Sequence, residues 1–143
     1  MLLQPTQKNR AAEEPVISMQ NGMKIIERDD VKKILLKWRN GMLSAREIHE
    51  WAENRYNVNG YNCSDWEGDE ELSVTNEVLS ALDRLDMNLM TVEDIPIYLE
   101  FLETPIGEFD SGMLKFEQYL DSINYKERRK NLAEVELYAP FCK

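Results

Sequence analysis

Apolar side chains recur along most of this chain at the three- and four-residue spacing of an α-helix, and few stretches alternate with the two-residue period of a strand. The clearest case is a pair of short helices joined by a turn at Gly41. The first is capped by Asp29 or Asp30, and the second opens with Ser44 and Glu47 at the spacing of a capping box. This segment is therefore predicted to form a helical hairpin.

Four further helical segments follow a polar stretch, residues 57–68, whose Asn, Gly and Ser content predicts a loop. Pro105 is predicted to end the second of these helices. The last eight residues, 136–143, are predicted to form an extended tail, and residues 135–138 are the part most suited to a strand. The predicted starting points of the four helices are Asp69, Thr91 or Asp94, Asp110 or Ser111, and Tyr125.

The length of 143 residues fits one domain, and 43% hydrophobic with 31% charged residues is typical of a globular protein. Residues 1–22 contain Pro5 and Pro15 and show no clear period, which predicts a loose N-terminal arm. Residues 23–143 are predicted to form a single helical domain. The fold prediction is therefore all-α: one compact domain of about six helices with a loose N-terminal arm and an extended C-terminal tail.

Several locations and chemistries are disfavoured by the sequence. No apolar run is long enough to span a bilayer, and the N-terminus lacks the basic start and apolar stretch of a secretory signal, so we expect a cytoplasmic protein. The two cysteines, Cys63 and Cys142, do not make a disulfide framework. Reduced thiols fit a cytoplasmic protein, although a single bridge between them stays open.

Neither a catalytic nor a metal-binding motif is recognisable. An EF-hand loop starting at Asp65 would need glycine at its sixth position and glutamate at its twelfth, where the chain has Glu70 and Asn76. The segment at His49 resembles half of a zinc-protease helix, but Glu53 stands where the second histidine belongs. We therefore predict no enzyme activity, no cofactor and no metal. Acid–base catalysis by a pair of carboxylates remains an alternative.

The net charge of −10 is concentrated in the middle of the chain. Residues 57–110 hold fourteen acidic side chains and one basic one, Arg84, which gives −13; residues 1–22, 23–56 and 111–143 sum to 0, +2 and +1. A solvated surface would explain some of this charge. It explains poorly why residues 57–72 contain no Lys or Arg, because mixed signs stabilise helices through pairs one turn apart. A one-sided field instead favours a cationic partner and disfavours nucleic acid and anionic membranes.

Within this segment, the stretch YNCSDWEGDEEL (residues 61–72) combines aromatic side chains with five carboxylates. Trp66 either anchors the loop over the helical hairpin or serves as a recognition anchor, since Trp and Tyr are enriched among binding hot spots. We predict a partner-binding surface here, with a secondary acidic set further along the chain. The primary residues are Tyr61, Asp65, Trp66, Glu67, Asp69, Glu70 and Glu71, and the secondary set is Asp83, Asp86, Glu93 and Asp94.

The hairpin sequence WRNGMLSAREIHEWAE (residues 38–53) and the terminal LYAPFC (residues 137–142) are similar to segments of bacterial toxin immunity proteins, and the small, acidic, helical chain resembles them as a class. The families resembled are the colicin-type immunity proteins and those of contact-dependent growth inhibition. The resemblance implies a cytoplasmic protein that binds a basic toxin domain, a nuclease, and blocks its active site. Nucleic acid, membrane and small-molecule substrates are not implied as partners.

No contact residue is carried over from these families by motif, so the predicted surface depends on charge and exposure alone. The alternative function is a non-catalytic helical adaptor or regulatory subunit that binds its partner through an apolar groove.

Overall fold

The computed structural model describes residues 25–68 and 72–143. In these ranges the chain forms six α-helices and two single 3₁₀ turns, Val92–Asp94 and Ala139–Phe141, and its only β-pairing is two isolated bridges. The all-α prediction of about six helices is confirmed, whereas the predicted arm, residues 1–22, lies outside the described residues. The helices are α1 (Arg28–Arg39), α2 (Ala45–Glu53), α3 (Val74–Asp83), α4 (Ile95–Phe101), α5 (Phe109–Asp121) and α6 (Tyr125–Leu132).

The predicted hairpin of α1 and α2 is confirmed. Gly41 ends the first helix with a φ of 79°, a left-handed conformation that favours glycine. Ser44 and Glu47 form the predicted capping box, since Glu47 N donates to Ser44 Oγ at 3.1 Å and Ser44 N donates to Glu47 Oε1 at 2.8 Å. The first cap differs from the prediction: α1 starts at Arg28 after Glu27, and Asp30 is the residue that reaches back to the Glu27 N–H.

Two other helix starts differ from the prediction. Helix α3 begins at Val74 rather than near Asp69, because Ser73 Oγ accepts the Asn76 N–H at 2.9 Å and so caps the helix. Helix α5 begins at Phe109 with Glu108 in the N-cap position, whereas the predicted cap is Asp110 or Ser111. The other two starts are confirmed: Thr91 stands before the 3₁₀ turn that leads into α4, and α6 begins at Tyr125.

The C-terminal tail is not extended. Residues 139–141 form a 3₁₀ turn, and Tyr138 is buried with its hydroxyl donating to the carbonyl of Met90. Burial of the ring removes a large apolar surface from water, and the hydrogen bond satisfies its polar end. The tail is therefore folded onto the body of the protein.

The core is formed mainly by the buried faces of α1 to α4, with α2 against α3 and α5 against α4. No helix in the described part of the chain combines the length and the apolar content needed to cross a membrane. Residues 57–68, called the aromatic loop below, connect the end of α2 to the segment before α3 and lie beside the start of α1. The core residues that are completely inaccessible to solvent are Val31, Leu35, Ile48, Ala52, Val78, Leu79, Leu82, Leu85 and Ile95.

Candidate partner-binding surface

The aromatic loop has no regular secondary structure, but its backbone is fixed to the chain segment before α1. Ile26 N donates to Asn62 O at 2.7 Å and Ser64 N donates to Ile26 O at 2.9 Å, which makes Ile26 and Cys63 a parallel bridge. The side chain of Asn62 also donates to Arg55 O at 2.9 Å. These bonds satisfy backbone groups that a loop would otherwise leave to water, so they hold the loop in one conformation.

Asp65 fastens the same loop from the inside. Asp65 is 8% exposed, and its carboxylate accepts from Arg28 Nε at 2.8 Å, Ser73 Oγ at 2.5 Å, and both the N–H and the hydroxyl of Thr75 at 3.1 and 3.0 Å. Burial by itself would raise the pKa of Asp65, but the hydrogen bonds from Ser73, Arg28 and Thr75 hold it below its ordinary value. Asp65 is therefore a structural carboxylate, and its oxygens are occupied by internal donors.

Tyr61 and Trp66 form a pair on the outer side of this loop. Their ring centroids are 4.8 Å apart and their planes meet at 85°, an edge-to-face contact. Tyr61 is 54% exposed, whereas Trp66 is half-buried and its Nε1 has no hydrogen-bond partner among the described residues. Gly68 lies beneath the indole, since a Cβ there would come within 3.0 Å of Trp66 Cζ3. Trp66 is therefore seated in the loop, as one of its two predicted roles requires, and Tyr61 is presented to solvent.

The acidic part of the predicted surface is described only in part. Glu67 is half-buried and pairs with Leu72, with Glu67 N donating to Leu72 O at 2.6 Å. The triplet Asp69, Glu70 and Glu71 lies outside the described residues; in the sequence it stands between Gly68 and Leu72.

The secondary acidic set divides into one buried and three more accessible carboxylates. Asp94 is 1% exposed and accepts two bonds from the Arg128 guanidinium, each 2.7 Å, one from the Tyr119 hydroxyl at 2.5 Å and one from Thr91 N at 3.0 Å. Burial raises the pKa of Tyr119 to about 12, and its hydrogen bond to Asp94 acts in the same direction. Like Asp65, Asp94 is enclosed by donors and faces the interior.

The other three carboxylates of this set retain some access to solvent. Asp86 is half-buried, 3.7 Å from His49 Nε2, and Asp83 is half-buried on α3. Glu93 has an exposed side chain 3.8 Å from Arg128. The structure therefore leaves Glu93, and partly Asp83 and Asp86, available for a contact.

No group of three or more His, Cys, Asp or Glu side chains in residues 25–68 and 72–143 is placed to hold a metal ion. Cys63 is buried, and burial raises the pKa of its thiol to about 12, so it is protonated at neutral pH. The accessible carboxylates of this surface can accept charge-assisted hydrogen bonds from another molecule, and its aromatic rings can pack against it.

Sequence reasoning missed the residues that hold the site together. The sequence predicts no role for Arg28, although it joins α1 to Asp65 and also donates to the carbonyls of Leu102 and Thr104. Ser73 does have a local signal, because serine is a preferred N-cap residue and Ser73 directly precedes the helical segment that begins at Val74. No local signal in the sequence marks Arg28.

Comparison of this chain with protein-family models, with curated proteins and with solved structures gave no match. Its function is therefore argued from its own surface and charge.

Proposed function

We propose that this protein is an immunity protein, which binds a cognate basic toxin domain, a nuclease, and neutralises it by covering its active site. The observation that carries the proposal is the Tyr61–Trp66 pair, held on an internally anchored loop within sixteen consecutive residues (57–72) that contain no Lys or Arg. The protein itself performs no chemistry in this proposal. It acts by occupying the surface that the nuclease uses to bind its substrate.

The anchoring of the aromatic loop supports a binding role because an ordered loop loses little conformational entropy when it meets a partner. Asp65 and the Ile26 bridge fix the loop before any partner arrives. Tyr61 then offers a large amphipathic ring of the kind that is enriched at the centre of protein interfaces.

The charge distribution supports the choice of a basic partner. The net charge of residues 57–110 is −13, and electrostatic steering by such a field can raise association rates by roughly tenfold to a thousandfold. Nucleases bind the phosphate backbone with basic side chains. An acidic surface placed over such a cleft substitutes for that backbone and excludes the substrate.

A second candidate function is supported by a cleft between α3 and α5. Its volume is about 230 Å³, and its walls combine apolar side chains, among them Met90, Met113, Leu120 and Ile123, with the charged side chains of Glu77, Arg84, Asp94 and Arg128. Methionine side chains adapt to varied apolar surfaces, which suits an adaptor that receives a partner's apolar segment. The two functions differ in salt dependence, because contacts between exposed charges are screened by salt and apolar contacts are not.

The first experiment is a pull-down from the native organism's lysate, with this protein as bait and washes of rising salt, followed by mass spectrometry. A retained basic domain, released at high salt, is then produced recombinantly and its nuclease activity is titrated with this protein. Stoichiometric loss of nuclease activity would support the proposal. A neutral or acidic partner that is retained at high salt would contradict it and favour the adaptor.

A further inference from the structure

A cavity of about 250 Å³ lies between α4 and α5, and none of its lining residues belongs to the predicted partner-binding surface. The side chains of Ile97, Phe101 and Phe116 line its apolar part. The rings of Phe101 and Phe116 are stacked, with centroids 4.6 Å apart and planes 6° from parallel. Both phenylalanines belong to the buried core, so this wall of the cavity is rigid.

The volume of the cavity restricts what it can receive. Pockets for drug-sized ligands and cofactors span about 300–1,000 Å³, and this cavity lies below that range. A single long side chain is a more fitting occupant. Its aliphatic part would pack on the apolar wall and its polar end would meet whatever lies at the mouth.

The mouth of the cavity is acidic. Three exposed carboxylates, those of Glu100, Glu103 and Glu108, line the cavity together with one cation among the described residues, Lys115. Glu103 is paired with Lys32 of α1, whereas Glu100 and Glu108 have no ion pair within the described part of the chain. The two unpaired carboxylates leave negative charge beside an apolar cavity, and this combination matches a side chain with an aliphatic stem and a cationic end.

An independent feature of the cavity is a solvent-accessible hydroxyl without a partner on an otherwise buried residue. Thr104 lines the cavity and is 7% exposed, yet its hydroxyl makes no hydrogen bond within the described residues. The Thr104 side chain packs on the Cα of Gly112, where a Cβ would overlap it. The oxygen is not among the buried unpartnered atoms, so solvent reaches it, and it can accept from a donor that enters the cavity.

The cavity is joined to the aromatic loop through Arg28. The guanidinium of Arg28 binds Asp65 of the loop through Nε and the carbonyl of Thr104 through one of its terminal nitrogens. The inner side of the aromatic loop and the wall of the cavity are therefore within one side chain's reach of each other.

We propose that this cavity receives an arginine side chain of the basic partner, which packs its methylene groups on Phe101 and Phe116 and donates to Glu100, Glu108 and the Thr104 hydroxyl. Arginine is favoured over lysine because its planar guanidinium carries five donors that can bind separated acceptors at once. The identity of the occupant as part of a basic partner rests on the proposed function. The affinity of the cavity for a guanidinium is independent of the proposed function.

The test uses a small probe, so that it is independent of the partner. Nα-acetyl-arginine amide is titrated into the ¹⁵N-labelled protein, with Nα-acetyl-citrulline amide, its neutral isostere, as the matched control ligand. Saturable shifts of the Thr104 and Gly112 amides with the arginine probe, and none with citrulline, are expected. Equal shifts with both ligands, or no saturable shift at these amides, would overturn the proposal.

Two variants with opposite expected effects separate the cavity from general charge attraction. E100Q/E108Q should weaken binding of the arginine probe by about two- to fivefold for each carboxylate removed, as for a solvent-accessible ion pair. K115Q removes the lining cation and should tighten binding by a similar factor. The control E50Q/E53Q removes two exposed carboxylates of α2. An equal loss of affinity in the control would refute a specific cavity, while the partner pull-down would still test the proposed function.

Discussion

Two carboxylates of the acidic segment, Asp65 and Asp94, are the most deeply buried acids in the described part of the chain. A buried charge is tolerated only where donors replace the water it has lost. Arg28 with Ser73 and Thr75 does this for Asp65, and Arg128 with Tyr119 does it for Asp94. These two residues therefore contribute to the fold. The neighbouring donors largely neutralise the charge that a partner would meet.

Replacing Asp65 with alanine should lower the free energy of unfolding by roughly 3–5 kcal/mol, because Arg28, Ser73 and Thr75 lose the acceptor that they share. Urea denaturation followed by circular dichroism measures this loss. The matched control, Glu53→Ala at the exposed end of α2, should stay within about 0.5 kcal/mol of the wild type. A similar, small effect of both substitutions would contradict the structural role of Asp65.

The pH dependence of stability should reveal the same carboxylate. The folded state holds the pKa of Asp65 below the ordinary value of 3.8, so its stabilisation is complete above that pH and is lost as the pH falls through the lower folded pKa. Unfolding midpoints measured between neutral and acidic pH should therefore decline more steeply for the wild type than for the Asp65→Asn variant. Parallel curves would exclude a depressed pKa at this position.

Tyr61 is the residue whose loss should weaken partner binding most directly. Truncation to alanine removes an exposed ring from the aromatic pair and should cost about 2 kcal/mol, or roughly thirtyfold in Kd, with the fold unchanged. Calorimetric titration with the captured toxin domain gives this value. Met42→Ala removes a side chain of greater exposure from the turn between α1 and α2, and it should leave the Kd unchanged. If both variants bind alike, the interface lies elsewhere.

At the scale of elements, α6 differs from the other five helices because none of its residues is buried. Its main polar attachment to the body is Arg128, which binds Asp94 twice and also donates to the Leu89 carbonyl at 3.0 Å. Tyr125 and Leu132 add partly buried apolar contacts. The position of this helix thus depends strongly on one ion pair.

Arg128→Ala should destabilise the protein by roughly 3–5 kcal/mol, because it leaves Asp94 buried and uncompensated. The amides of α6 should lose protection from hydrogen exchange more than those of α1, since α6 has few other contacts. The neighbouring Arg129→Ala is the matched control, as Arg129 is exposed on the same helix. Unchanged protection of α6 in Arg128→Ala would show that the apolar contacts alone hold the helix.

The aromatic loop shows that an element without regular structure can still be ordered. It is fixed by the Ile26 bridge, by Asp65 and by the Asn76 amide, which donates to Asn57 O at 2.9 Å. Gly60 lies close to the side-chain amide of Asn76 and has a φ of 76°. A substitution there would meet both a steric and a conformational obstacle.

At the scale of the whole molecule, charge is the property most relevant to the proposed function. Replacing Asp69, Glu70 and Glu71 with alanine changes the net charge from −10 to −7 and should slow association with a basic partner and flatten its salt dependence. Stopped-flow association rates measured over a range of salt concentrations report both effects.

The control for this variant replaces Glu50, Glu53 and Glu134, three exposed acids outside the predicted surface, and also gives −7. A larger effect of the first variant supports the placement of the interface near residues 69–71. Identical effects would mean that only total charge matters. Unchanged affinity of the first variant at low salt would show that Asp69, Glu70 and Glu71 are not part of the interface.

The helices could be predicted because their signals are local. A capping box connects residues three positions apart, as in Ser44 and Glu47, and apolar spacing repeats within one or two turns. The helix starts that differ from the prediction also have local causes. Ser73 rather than Asp69 caps α3, and Glu27 rather than Asp29 or Asp30 is the N-cap residue of α1. The folded tail depends on Tyr138 reaching Met90, 48 positions away, which no local pattern contains.

By itself, the sequence determined the all-α class, the helical hairpin and the concentration of negative charge, since each follows from neighbouring residues or from counting. The tertiary structure alone decided which acids of that segment face the interior. Asp65 meets Arg28, 37 positions away, and Asp94 meets Arg128, 34 positions away. Whether a carboxylate is exposed to water or neutralised inside depends on the donors that folding brings to it, and those donors come from distant parts of the chain.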